Sequence, residues 1–230
     1  MKLDENKIHS VIYSNDGIIE IYRWYLMHNS SLSLPYHNIT NTFGILYHII
    51  NIYENSRKPD SDYGFSLNES DLFILIVSGL FVNYNNSGGK FPVEIDAENA
   101  MDGLETCLLK FFDENEYTKN TINICKNNIY AAICSSHQNN IELTIQQKIL
   151  KESISLDIFY DNFISQGIIS LYNESRSKED FMLFVSNTIK TLLETIQNFN
   201  LKYSKDLWNT YGNKLMENIN IFSKIILSDK

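Results

Sequence analysis

Proline is scarce in this chain. Its 230 residues contain three, Pro35, Pro59 and Pro92. Each lies between strongly helical segments, so helices can run long without a broken hydrogen-bond ladder. Cysteine is equally sparse, with Cys107, Cys125 and Cys134. An odd number without framework spacing argues against a disulfide scaffold. The apolar helical patterns around all three predict buried free thiols in a reducing compartment. Long apolar runs are missing too. The longest, Leu72 to Val82, contains Ser78 and Gly79 and is too short to span a bilayer. The polar opening MKLDENKIHS lacks the apolar core of a signal peptide. The expectation is a soluble, cytoplasmic chain without a membrane partner. Basic charge is in deficit, with 19 Lys and Arg against 28 Asp and Glu, a net −9. That balance disfavours long nucleic acids, whose phosphates need clustered cations. It leaves room for a small anionic ligand in a local pocket.

What is present is apolar and aromatic. Hydrophobic residues make up 43% and aromatics 13%, which excludes disorder. The length supports one substantial core, hence a single domain over 1–230. Periodicity is helical nearly everywhere, so the expected fold class is all-α. The spacing predicts helices over roughly 14–29, 37–54, 69–84, 96–113, 117–135, 141–156, 157–172, 178–199 and 203–227. Ile122, Cys125, Ile129 and Ile133 share one face. Phe181, Phe184, Val185, Ile189, Leu192, Leu193 and Ile196 form another buried stripe. Ser66 and Glu69 have capping-box spacing for the helix near 69. No strand alternation or internal repeat stands out. Trp24 and Trp208 are expected to cover the core from the terminal helices. His48 reads as a core or groove histidine. His9, His28 and His137 have no ligand-spaced partner. Asp113, Glu114 and Glu116 look like a helix end and its loop. Ser87-Gly88-Gly89 could pass for a phosphate turn, but it lacks the Lys-Ser/Thr ending of a P-loop and follows no strand. Lys90 beyond it reads as a solvated loop lysine.

Two segments carry a pattern. Pro35-Tyr36-His37-Asn38-Ile39-Thr40-Asn41-Thr42-Phe43-Gly44 resembles the stretch that HD-superfamily cyclic-nucleotide phosphodiesterases write as P-Y-H-N-x-x-H-x-x-D. Leu80-Phe81-Val82-Asn83-Tyr84-Asn85-Asn86-Ser87-Gly88-Gly89 resembles their L-F-H-D-x-x-H-x-G. Two weaker similarities follow. Phe163 to Gly167 resembles the family's F-x-Q-G helix, with Gln166 at the glutamine. Lys178-Glu179-Asp180-Phe181 stands where the family has Q-x-x-F, the clamp on the base. The resemblance covers about residues 30–200 and implies an HD/phosphodiesterase-like helical bundle.

The departures from the pattern carry the functional expectation. The resemblance implies metal ligands at positions that here read Asn41, Val82 and Asn83. A later aspartate position falls on Ile154 or Ser155. Asp157 lies two or three residues beyond, roughly 200–300° around a continuous helix at about 3.6 residues per turn. Hydrolysis in such a site needs charged or imidazole ligands to hold the ions that activate water. Val82 has no donor atom, and two carboxamides are poor ligands. The expectation is therefore a pseudoenzyme with no metal and no cofactor. The family's first histidine, here His37, protonates a leaving oxygen and binds no metal, so it could still meet a phosphate. The expected ligand-binding set is Tyr36, His37, Asn38, Asn41, Asn83, Asn86, Gln166, Lys178 and Phe181. The expected partner is a small nucleotide, a cyclic mono-, di- or oligonucleotide that is sequestered or sensed. Such a sponge suits a virus opposing host nucleotide signalling. Homo-oligomers are compatible with the sequence. Two rivals remain: a helical protein-interaction scaffold with a vestigial pocket, and a metal-dependent phosphohydrolase using other residues such as Asp157 and Glu94.

Overall fold

The computed structural model describes residues 1–134, 142–175 and 180–228. Among these residues there are ten α-helices and no strand. They are α1 (Glu5–Tyr13), α2 (Asp16–His28), α3 (Ile39–Ser56), α4 (Glu69–Phe81), α5 (Val93–Phe111), α6 (Glu116–Cys134), α7 (Ile145–Ser155), α8 (Ile168–Ser175), α9 (Phe181–Gln197) and α10 (Lys202–Ser228). A 3-10 turn (Ser30–Ser33) leads toward α3. A second 3-10 turn (Leu156–Phe159) and a π-helical turn (Phe163–Gly167) lie between α7 and α8.

Asparagine starts several of these helices. The side-chain oxygens of Asn15, Asn38 and Asn68 accept backbone N–H groups in the first turns of α2, α3 and α4. Such caps satisfy donors that have no partner within the helix. At α4 the capping box is Asn68 with Asp71, two residues after the Ser66–Glu69 pair that the sequence suggested. Glu69 becomes the first helical residue instead, where its charge favours the positive end of the helix dipole.

Buried apolar residues from Ile8 to Ile219 form one contiguous cluster. At its centre is α4, in which every residue from Ile74 to Phe81 is buried. A helix apolar on all sides must be surrounded, and α4 packs against α2, α3, α5, α6 and α7. The three cysteines are buried and unpaired. Burial pushes the Cys107 and Cys125 thiols up to about 12, so both stay inert near neutral pH. No helix among the described residues is long and apolar enough to cross a membrane.

Two parts of the chain depart from the sequence expectation. Residues 5–13, which overlap the polar opening MKLDENKIHS and precede the first expected helix at 14, form α1. Its Ile8 and Ile12 are fully buried, packed toward α2 and α3. The helix expected over 157–172 is interrupted. The 3-10 turn buries Leu156, Asp157, Ile158 and Phe159 in succession, which a helix with one buried stripe cannot do. The stripe on α9 exists, but only Val185 and Ile196 are buried, because α9 packs on α8 and α10 at the edge of the bundle.

Close packing at α5 gives a direct test of the fold. A Cβ at Gly103 would lie 2.2 Å from the Tyr84 ring. Overpacking of this kind costs about 1–3 kcal/mol. Gly103→Ala is expected to lower the urea midpoint accordingly with an unchanged m-value. A wild-type midpoint would mean that the ring is not fixed there.

Candidate functional site

The first turn of α3 starts with Asn38, whose Oδ1 accepts from Thr40 N at 2.9 Å and Asn41 N at 3.4 Å. One turn on, Asn41, Gly44 and His48 follow at helical spacing along one side of α3. Asn83, just past the end of α4, donates through Nδ2 to Asn41 Oδ1 at 2.6 Å. Asn41 Nδ2 in turn donates to Asp157 Oδ2. All three residues are buried. Positions 41, 83 and 157, far apart in sequence, therefore form one hydrogen-bonded chain.

Asp157 reaches this chain because α7 ends at Ser155. An offset of roughly 200–300° from Ile154 or Ser155 holds only on a continuous helix. The 3-10 turn swings the carboxylate against α3, where Gly44 leaves the room. A Cβ at Gly44 would stand 2.4 Å from Asp157 Oδ1. Burial pushes the Asp157 carboxyl up to about 8, and the Asn41 hydrogen bond offsets this only in part. Asp157 Oδ1 and the Tyr160 hydroxyl are both buried and have no hydrogen-bond partner among the described residues.

This donor set does not fit the metal pair that the resemblance implies. It holds one carboxylate, with two neutral amides that bond to each other and to it. Val82 lies in the apolar core. Among the described residues, no three His, Cys, Asp or Glu side chains are grouped to hold a metal ion. Divalent ions need more anionic or imidazole donors than this.

A second buried carboxylate sits beside the first motif. Glu174, on α8, accepts from Tyr36 N at 2.8 Å and His37 N at 2.9 Å. Its other oxygen is bonded to His37 Nδ1. Burial raises the Glu174 carboxyl, but the His37 ring and the two backbone donors outweigh it and hold the group below its usual range. Sequence reasoning missed Glu174. The imidazole expected to meet a phosphate is committed to it. His48 is fully buried, with Nδ1 hydrogen-bonded to the Tyr203 hydroxyl at 3.1 Å. Burial drives its pKa down to about 3, so it stays neutral.

Beside the asparagine–aspartate chain lies a cleft of about 520 Å³. Four of the expected ligand-binding residues line it: Tyr36, Asn38, Asn41 and Gln166. Gln166 sits in the π-helical turn and accepts from Asn162 Nδ2 at 2.9 Å. His37, Asn83, Asn86 and Phe181 are not among the lining residues. Asn86 Oδ1 accepts from Gly88 N at 2.8 Å. The neighbouring Ser87 N donates to Asp96 Oδ1 on α5 at 2.8 Å, so the amides of Ser87 and Gly88 are already taken within the protein. Phe181 packs edge-on against Tyr172, with ring centroids 4.9 Å apart. Lys178 lies outside the described residues. The cleft also takes in Asp157, Tyr160 and Phe163, which the motifs did not single out as ligand contacts. The chain matches no family model, no curated protein and no solved structure.

Proposed function

We propose that this chain is a non-hydrolytic, HD/phosphodiesterase-like helical bundle that binds a nucleotide-class ligand in the cleft beside Asn41. The ligand is sequestered or sensed, as a sponge for a cyclic mono-, di- or oligonucleotide signal would do. One observation carries the reading. Asn41 and Asn83 stand at motif positions for metal ligands, and Asp157 stands just beyond the third. They meet in one hydrogen-bonded chain beside a cleft of about 520 Å³. A metal centre converted to neutral amides would retain this convergence. The cleft volume lies within the roughly 300–1,000 Å³ common for small-molecule sites. An open cleft also weighs against a scaffold whose pocket has filled with side chains.

Loss of hydrolysis follows from the donor chemistry. Without two or three anionic or imidazole donors, nothing at this position lowers the pKa of water toward neutrality. Purified protein titrated calorimetrically with cyclic mono-, di- and trinucleotides should bind at least one of them below about 1 mM, roughly 4 kcal/mol of binding free energy. The ligand should then be recovered intact after denaturation. Failure of the whole panel to bind, or recovery of a cleaved product, would overturn the proposal.

A further inference from the structure

We infer that the cleft takes the uncharged nucleoside end of the ligand and leaves the phosphate at its mouth. This rests on the proposed function and concerns which part of the ligand is recognised. Among the described residues, the charged groups lining the cleft are Glu5, Asp161, Lys2 and the Met1 ammonium, which is paired with Asp161 at 2.9 Å. Asp157, lifted to about 8 by burial, keeps its proton near neutral pH. Among the described residues, no arginine or histidine lines the cleft. With the Met1 ammonium already held by Asp161, a phosphate inside would find Lys2 alone to set against Glu5, and the protein's net −9 adds to the opposition.

The other groups that could receive an anion are already occupied. The His37 ring is held by Glu174. The first-turn amides of α3, which an anion would otherwise approach, are capped by Asn38. The amides of Ser87 and Gly88 bond to Asp96 and Asn86.

What remains suits a planar, uncharged, hydrogen-bonding ring. Tyr36, Tyr160 and Phe163 bring aromatic surface to the cleft, and Asn162 and Gln166, bonded to each other through one atom each, bring neutral amides. Tyr36 and Phe163 meet edge to face, with centroids 6.2 Å apart. Two lining residues, Asp157 and Tyr160, carry polar atoms without a partner among the described residues. A base offers both an aromatic face and donor and acceptor edges.

The test compares each of adenosine, guanosine, cytidine and uridine with its 5′-monophosphate and its 3′,5′-cyclic monophosphate by calorimetry. At least one nucleoside should bind within about threefold of its phosphorylated forms. Its Kd should change by less than about twofold between 50 and 500 mM salt, because no phosphate contact is being screened. Thr40→Trp would fill the cleft from an exposed wall position in the first turn of α3. This variant should weaken nucleoside binding at least tenfold while keeping the wild-type unfolding midpoint. Nucleotides binding about tenfold or more tighter than their nucleosides would overturn this inference and leave the proposed function standing. Unchanged nucleoside affinity in folded Thr40→Trp would overturn the cleft as the site. Absence of binding by every nucleoside and nucleotide, cyclic dinucleotides and trinucleotides included, would overturn the inference together with the proposed function.

Discussion

Asp157→Asn should make the protein more stable, and increasingly so as the pH rises. The carboxyl is buried, and burial lifts it from an ordinary 3.8 to about 8. Between those values the folded protein holds a proton that the unfolded chain has released. Ionising Asp157 therefore costs the folded state alone. Stability is free of this penalty below about pH 4, falls as the pH climbs toward 8, and levels off above it. The span from 3.8 to about 8, at about 1.4 kcal/mol per pH unit, bounds the effect at about 6 kcal/mol. A carboxamide of the same shape never ionises. It keeps an oxygen to accept from Asn41 and fits the notch at Gly44 without adding a heavy atom. Urea unfolding at pH 5, 7 and 9 should give a gap between variant and wild type that widens with pH, reaching about 2 kcal/mol or more at pH 9. Equal midpoints at pH 9, or a gap independent of pH, would mean that Asp157 is ionised and satisfied in the folded protein.

The same residue shows how far sequence could lead. Helical class was legible from three prolines and a persistent 3.6-residue spacing. The convergence at Asn41 and Asn83 was legible as motif order. The contribution of Asp157 was not, because an angular argument holds only while a helix continues. Nothing in Ile158-Phe159-Tyr160-Asp161-Asn162 marks a break with proline or glycine. The break arises from packing, since four consecutive buried residues need a tighter turn. α1 was hidden for the opposite reason. Two buried isoleucines among polar neighbours are a weak signal until α2 and α3 supply the surface they cover. Asn86 was paired by motif with the site, yet the positive φ angles at Asn85, Gly88 and Gly89 fold its loop back on itself. Glu174 had no signal at all. A lone glutamate in Tyr-Asn-Glu-Ser reads as solvated, and the N–H groups it accepts lie 137 and 138 residues away.

That contact carries the largest expected loss. Glu174→Ala removes the acceptor of two backbone N–H groups and of the His37 ring at a carboxylate that is 2% exposed. Stranding buried donors costs about 1–3 kcal/mol each, with bonds to a charged acceptor toward the upper end. The effects share one acceptor and will not add, so about 3–4 kcal/mol is expected at pH 7. Glu174→Gln keeps a carbonyl oxygen but loses the charge, and should cost about half as much. The pH dependence has the opposite sign to that at Asp157. The Glu174 carboxyl is held below its ordinary 4.5, so its stabilisation is complete above that pH and is lost as the pH falls through the folded value. The Ala penalty should therefore shrink in unfolding experiments taken from pH 7 down to pH 3. Ligand affinity should fall as well, because Pro35, Tyr36 and Asn38 line the cleft and the Glu174 bonds hold the backbone between them. A Glu174→Ala variant within about 1 kcal/mol of wild type at pH 7 would show that this wall of the cleft is held by apolar packing around Tyr36 and Phe163, with the carboxylate contributing little.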